Sequence, residues 1–362
     1  MCPNFSLPVE DTENDYDEHC ETPPELLRLV EQGTKEIKPH QKEIKIINLG
    51  EEGEVKQVKI GTTMTEEMQK QLHTLLQEFK DVFAWSYQDM PGLDADIVQH
   101  KLPLKPECPP IKQKLRRMKP EMTLKIKEEV EKQFNTGFLA VAKYPQWVAN
   151  IVPVPKKEGK VRMCVDYRDL NRASPKDDFP LPYIDTLVDN TAISLLYSFM
   201  DGFSGYKQIK MALEDMEKTT FITLWGTFCY KVMSFGLKNS GATYQRAMVT
   251  LFHDMMHKGI EVYVDDMIAK SKSEEEHLVN LRRLFGRLRK FKLRLNSTKC
   301  TFGVRSRKLL GFIVSQKGIE VDLDKVCMIL EMPHPCTEKK GSRFSGETKL
   351  YCQVYFPINF HL

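Results

Sequence analysis

Two aspartates, Asp265 and Asp266, stand side by side in the apolar run EVYVDDMIA, which KSKSEEE follows at once. Apolar residues on both flanks predict a strand, a tight turn and a second strand, with the carboxylates at the bend. Taken alone the pair also reads as an ordinary turn, because Asp favours bends. Set in apolar surroundings, however, adjacent acids are costly unless a cation neutralises them. Hard Mg²⁺ does so best, taking carboxylate oxygens and sharing its other positions with water and substrate phosphates. A second acid favours that reading. Leu195, Leu196, Tyr197, Ser198, Phe199 and Met200 form a strand-like run ending in Asp201, and Gly202, Ser204 and Gly205 then break it. Three acids delivered by two strand ends can hold a pair of metals about 4 Å apart, clamping the attacking and leaving oxygens of a phosphoryl transfer. The chemistry implied is nucleotidyl transfer.

The elements that must position these acids can also be read. Thr65 before Glu66 and Glu67 predicts a helix start, and Met68, Leu72, Leu75, Leu76 and Phe79 supply its apolar stripe. Met122, Ile126, Val130 and Phe134 mark a second helix from Pro120, closed by Gly137. A third covers His277 to Leu288, with Leu278, Leu281, Leu284, Phe285 and Leu288 facing a sheet. The run EIKIINLGEEGEVKQVKIG predicts a hairpin around residues 50–53. Residues 1–40 are polar and aperiodic and read as a flexible lead-in.

Composition allows a sizeable core: 362 residues, 41% hydrophobic and 28% charged. The net charge of +3 makes the chain no general polycation. Local basic runs, Lys112, Lys114, Arg116, Arg117 and Lys119, then Arg282, Arg283, Arg287, Arg289, Lys290, Lys292 and Arg294, read either as solvated faces or as phosphate contacts. Nine cysteines with no C-x-x-C argue against a disulfide framework or zinc ribbon and for a reducing compartment. His253 and His257 have helical ligand spacing, but HDMMH lacks the metalloprotease glutamate. No apolar run approaches the roughly 20 residues that span a bilayer, and the acidic start has no signal core. An intracellular, cytoplasmic or nuclear chain without membrane contact is expected.

Several blocks in order then identify a family resemblance: WVANIVPVPKKEGKVRMCVDYRDLN (147–171), FPLPYIDTLVD (179–189), SFMDGFSGYKQIKM (198–211), KTTFITLWGTFCYKVMSFGLKNSGATYQRAM (218–248), EVYVDDMIAKS (261–271), and LRLNSTKCTFG with KLLGFIVSQKGIEVD. Over about residues 65–336 the chain resembles the reverse transcriptase region of a plant-type gypsy LTR retrotransposon polyprotein. No Asp-Ser-Gly or Asp-Thr-Gly triplet occurs, so an aspartic protease is missing. The resemblance implies an α+β right-hand polymerase fold, its antiparallel palm sheet packed on helices. Residues 1–64 would be a protease-to-polymerase linker. Fingers would cover about 65–176 and 208–232, palm about 180–207 and 233–315. A shortened thumb would start at 316–340.

It also implies roles. Asp201 and Asp265 would be the principal ligands of two Mg²⁺ ions, with Mn²⁺ as a substitute, and Asp266 a third that need not ligate at every step. The backbone of the Gly202–Gly205 turn would meet the triphosphate of a deoxynucleotide. Tyr206, five residues after Asp201, would form an aromatic wall under the sugar that rejects a 2′-hydroxyl, a buried palm tyrosine being the competing view. Arg162 would bind the triphosphate, its five-donor fork suited to that task, with Lys156 or Lys157 beside it. Phe235, Gly236, Leu237 and Gln245 would support templating base and nucleotide. Leu310, Gly311 and Phe312 would aim the primer end, and Lys299 would assist pyrophosphate departure or be a mere structural lysine. The partners implied are an RNA or DNA template with primer and deoxynucleoside triphosphates; oligomeric state is not legible.

The chain departs from the family at Leu224 and Ser234, where prolines are usual, and at Ser240, where alanine is. Lost prolines are expected to loosen those loops. After residue 339 the pattern stops. One back-translation of the tail, read one base later, gives GFLGRLNYIARFISQLTS, which resembles the family's continuation. A frame displacement near residues 339–342 is expected, making 341–362 an unselected tail that packs poorly. Two functions are therefore weighed: an RNA- and DNA-directed DNA polymerase core, and a catalytically silent nucleic-acid-binding remnant.

Overall fold

The computed structural model describes residues 44–51, 53–155, 161–309 and 312–321. Lys156, Lys157, Leu310, Gly311, the part of the expected thumb start beyond 321 and the tail lie outside them.

Among the described residues, six strands form the sheet that carries the acids. Its centre is the Leu196–Asp201 strand, flanked by Asp266–Ser271 and then Ile260–Tyr263 on one side, and by Thr301–Val304 on the other. Alternation with both faces covered explains why residues 196–200 are buried throughout. Leu196 and Met200 enter the main core, while Tyr197 and Phe199 join a second cluster with Ile268, Val304, Leu309, Phe312 and Val314. The register pairs Phe199 with Ile268, Met200 with Met267 and Asp201 with Asp266. Two acids distant in sequence thus end two neighbouring strands at the same level.

The hairpin expected in the linker is present, Ile44–Asn48 against Gln57–Gly61. Gln57–Gly61 also pairs in parallel with Thr301–Val304 and so extends the six-stranded sheet. The sheet is therefore mixed rather than purely antiparallel.

Helix Glu66–Glu78 starts as predicted, with Thr65 Oγ1 accepting the Met68 N–H. It packs on helix Glu274–Lys290, where Phe79 meets Phe285 at 5.6 Å and Arg282 Nη1 pairs with Glu78 at 2.7 Å. This segment, expected in the fingers, thus lies against the helix that backs the acid-bearing sheet. The same contacts decide the second basic run: Arg282 pairs with Glu78, Arg287 with Asp254 and Arg289 with Asp81. Those three guanidiniums join elements of the fold and are not spare phosphate ligands. Residues Lys112, Lys114, Arg116, Arg117 and Lys119 are exposed.

A five-stranded sheet, again among the described residues, contains Leu139–Val141, Gly226–Tyr230, Phe221–Thr223, Ala149–Pro155 and Val161–Val165 in that order. Helix Pro120–Asn135 packs on its Val161–Val165 strand through a face that buries Ile126, Val130 and Gln133. Phe134 does not follow the predicted stripe and is exposed, edge-on to Phe228. The turn lacking proline at Leu224 is held otherwise: Thr223 Oγ1 accepts the Trp225 N–H at 3.1 Å and donates to Gly226 O at 2.8 Å. The loosening expected there is offset by that hydroxyl.

Strands Ser306–Leu309, Phe312–Ser315 and Gly318–Val321 form a three-stranded sheet. Residue 316, the expected thumb start, falls at a turn inside it.

Candidate active site

Asp201 closes its strand with 22% of its side chain exposed, and Lys299 Nζ lies 2.8 Å from its Oδ2. Asp265 is the second residue of the turn between Ile260–Tyr263 and Asp266–Ser271. Val264, the first, has φ +50°, a left-handed conformation that strains a β-branched side chain.

Gln245 on helix Ser240–Phe252 maintains that turn. It is fully buried, its Oε1 accepting the Val264 N–H at 2.7 Å and its Nε2 donating to Val262 O at 3.4 Å. Both ends of the Gln245 amide are thus engaged by the backbone of the hairpin. Gln245→Leu should leave the Val264 N–H buried without an acceptor, destabilising the chain by about 1–3 kcal/mol. Urea denaturation checks this, and unchanged stability would count against the clamp.

On the other side of Asp265 lies Gly205. A Cβ built there would stand 2.0 Å from Asp265 Oδ1 and 2.9 Å from Tyr244 Oη. Only glycine admits the carboxylate, so the turn that breaks the first strand also cradles the acid of the second. Oδ1 is buried without a hydrogen-bond partner among the described residues. Burial first, and then the neighbouring charges of Asp201 and Asp266, push the Asp265 carboxyl up to about 7. Asp266 is raised by burial and by Asp201.

Among the described residues no three His, Cys, Asp or Glu side chains close into a ready metal cage. The three aspartates share one end of the sheet, but Lys299 already engages Asp201. The donor set still suits a hard divalent cation. It offers carboxylate oxygens alone, one of them buried and unpartnered, in mutual repulsion that a cation would relieve.

A cavity of about 680 Å³ opens beside the acids. Asp201, Asp265, Lys299, Arg162, Phe235 and the Gly202–Gly205 turn are among its lining residues. Arg162 lies on the exposed face of its strand and makes no ion pair among the described residues. Tyr206 does not line the cavity. Its half-buried ring lies tilted against Phe235 at 4.8 Å and nears Tyr244 at 5.5 Å, and it is Phe235 that lines the cavity. Gly236 has φ +92°, and its carbonyl accepts from Asn171 Nδ2 at 2.7 Å. Phe312 is buried in the second cluster.

Sequence reasoning passed over Tyr244, which shares the Gly205 cradle, and Tyr87, Lys132 and Lys207, which line the cavity. Lys207, next to Tyr206, and Tyr244, next to Gln245, carried a signal, since both fall within the family-like blocks. Tyr87 and Lys132 come from segments whose pattern is that of plain turn and helix.

Residues 154–314 match the family model described as reverse transcriptase (RNA-dependent DNA polymerase). The chain is 35% identical over 207 residues to the retrovirus-related Pol polyprotein from transposon opus of Drosophila melanogaster, an overlap covering 57% of this chain and 21% of that protein. It is 28% identical over 235 residues to the transposon Tf2-3 polyprotein of Schizosaccharomyces pombe, covering 64% of this chain and 17% of that one. The chain thus spans about a fifth of the length of these relatives. Among solved structures it resembles the foamy viral protease-reverse transcriptase in complex with double-stranded DNA, with TM-score 0.71 and 21% identity over 80% of this chain and 59% of that one. A related complex with RNA/DNA hybrid gives TM-score 0.70 at 20% identity, covering 80% and 38%. These likenesses establish the right-hand polymerase fold. No helix among the described residues is long and apolar enough to cross a membrane.

Proposed function

We propose, on the premise that residues 154–314 are a reverse transcriptase domain of the retrotransposon Pol kind, that this chain is the polymerase core of a plant-type gypsy element. It would extend a primer along RNA or DNA using deoxynucleoside triphosphates. The observation that carries this reading is the cross-strand pairing of Asp201 with Asp266, beside an Asp265 seated in the Gly205 cradle.

In this reading Asp201, Asp265 and Asp266 would hold two divalent cations, Mg²⁺ or in its place Mn²⁺. Bound there, the cations would supply Lewis-acid stabilisation of the oxygens that gain charge. The primer 3′-hydroxyl would give its proton to water as its oxygen attacks the α-phosphorus; the new P–O bond forms and the α–β bridging P–O bond breaks, its electron pair leaving on pyrophosphate. Arg162 grips the triphosphate from the five-stranded sheet with paired N–H donors. Lys299, next to Asp201, is placed to give a proton to the departing pyrophosphate. Lys156 or Lys157 would complete the nucleotide contacts, and Leu310 and Gly311 those to the primer.

Sugar selection falls to Tyr206 with Phe235 packed against it. Tyr206→Val should remove the support of that wall and reduce discrimination against ribonucleotides by roughly 10–100-fold. Single-nucleotide incorporation with matched deoxy- and ribonucleotides reads this directly, and an unchanged preference would make Tyr206 a core residue only. Primer extension by the intact chain on an RNA template tests the function itself.

A further inference from the structure

The cavity contains a cation with no task in this mechanism. Lys207 is 8% exposed yet belongs to the cavity lining, and it makes no ion pair among the described residues. Its ammonium sits 5.0 Å from the Tyr87 ring centre and 5.3 Å from that of Phe138. Lys132 lies 4.8 Å from the same Tyr87 ring. Tyr87 packs on the acid-bearing turn, its ring edge-on to Phe203 at 5.7 Å.

A buried ammonium with no carboxylate in contact is unfavourable, and the nearby charge of Glu129 together with attraction to two aromatic faces offsets only part of that. Burial, and the like charge of Lys132, lower the Lys207 amine to about 8, with Glu129 acting against them. Methionine would fill the same aromatic corner without the penalty. Groups kept charged at a cavity wall against stability are characteristic of ligand sites. The enclosed position suits a compact terminal phosphate better than a strand backbone.

We propose that Lys207, assisted by Lys132, binds a phosphate group of a polyphosphate in this cavity, adding to Arg162 a contact that follows directly on the Gly202–Gly205 turn. The proposal deepens the nucleotide-site reading and rests on it for the identity of the polyphosphate; anion binding itself needs no catalysis.

The test is calorimetric titration of the intact chain with sodium tripolyphosphate, without nucleic acid, in wild type and Lys207→Met. The variant should bind at least about tenfold more weakly, the loss of a charge-assisted contact, while its melting temperature without ligand stays or rises. Lys207→Gln, with circular dichroism confirming the fold, gives the same readout if Met disturbs packing. Equal tripolyphosphate affinity in a folded variant would overturn the proposal. So would a fall in affinity for a single-stranded oligodeoxynucleotide with tripolyphosphate binding intact, which would assign Lys207 to a nucleic acid strand. If wild type extends no primer but shows Lys207-dependent tripolyphosphate binding, the anion site stands and the polymerase reading falls. If wild type extends a primer while tripolyphosphate binding is independent of Lys207, the polymerase reading stands and the anion site falls.

Discussion

Replacing Asp265 by Asn is expected to abolish primer extension and, at pH 8, to make the folded chain more stable. The first effect follows from removing a charged oxygen from the divalent-cation site, where the lost transition-state stabilisation amounts to several kcal/mol. The second follows from linkage. The Asp265 carboxyl titrates near 7 when folded, against 3.8 for the ordinary group. Between those values the folded chain retains a proton that the unfolded chain has released, so stability falls as pH rises from about 4 to 7. Above pH 7 the whole penalty, roughly 2–4 kcal/mol, is present. Asn carries no such charge, so urea denaturation should find the variant more stable than wild type at pH 8 and about equal to it at pH 4. Mg²⁺ should recover much of the difference in wild type and little in the variant. A variant less stable than wild type at pH 8 would mean that Asp265 is not held against its own charge.

Gly205→Ala is expected to reduce extension about as severely without touching any acid. Its Cβ would fall 2.0 Å from Asp265 Oδ1, so the carboxylate must move by about an ångström, and a displacement of that size costs roughly 100-fold in rate or more. Gly286→Ala is the matched control. Nothing lies within 4 Å of its added Cβ on helix Glu274–Lys290, and it should leave activity intact while stabilising the helix by about 0.5–1 kcal/mol. Equal extension rates in the two variants would remove the cradle from the mechanism.

The acids were legible because each sits where an apolar run stops, and strand ends are what a period-two pattern marks best. Their mutual placement was not. Register between strands more than sixty residues apart depends on both faces of Leu196–Asp201 being covered, by the main core on one side and by the Phe312 and Val314 cluster on the other. The part played by Gln245 was hidden for a related reason. An amide on a helix looks the same in sequence whether it faces a ligand or a backbone turn, and only the positive φ of Val264 shows that something must hold that turn. The hairpin at residues 44–61 was visible as a hairpin, but its parallel pairing with Thr301–Val304 is non-local and leaves no mark in either segment. The arginines of Glu274–Lys290 read as a basic stripe because their partners, Glu78, Asp81 and Asp254, come from other elements.

The most direct measurement is single-turnover extension of a primer annealed to RNA, with the intact chain in excess over primer-template so that weak grip on the duplex does not limit the signal. The expected result is addition of the one complementary deoxynucleotide in Mg²⁺, none after chelation, and none by a folded Asp265→Asn variant. Absence of extension by a wild-type chain that binds the primer-template, or equal extension by Asp265→Asn, would contradict it.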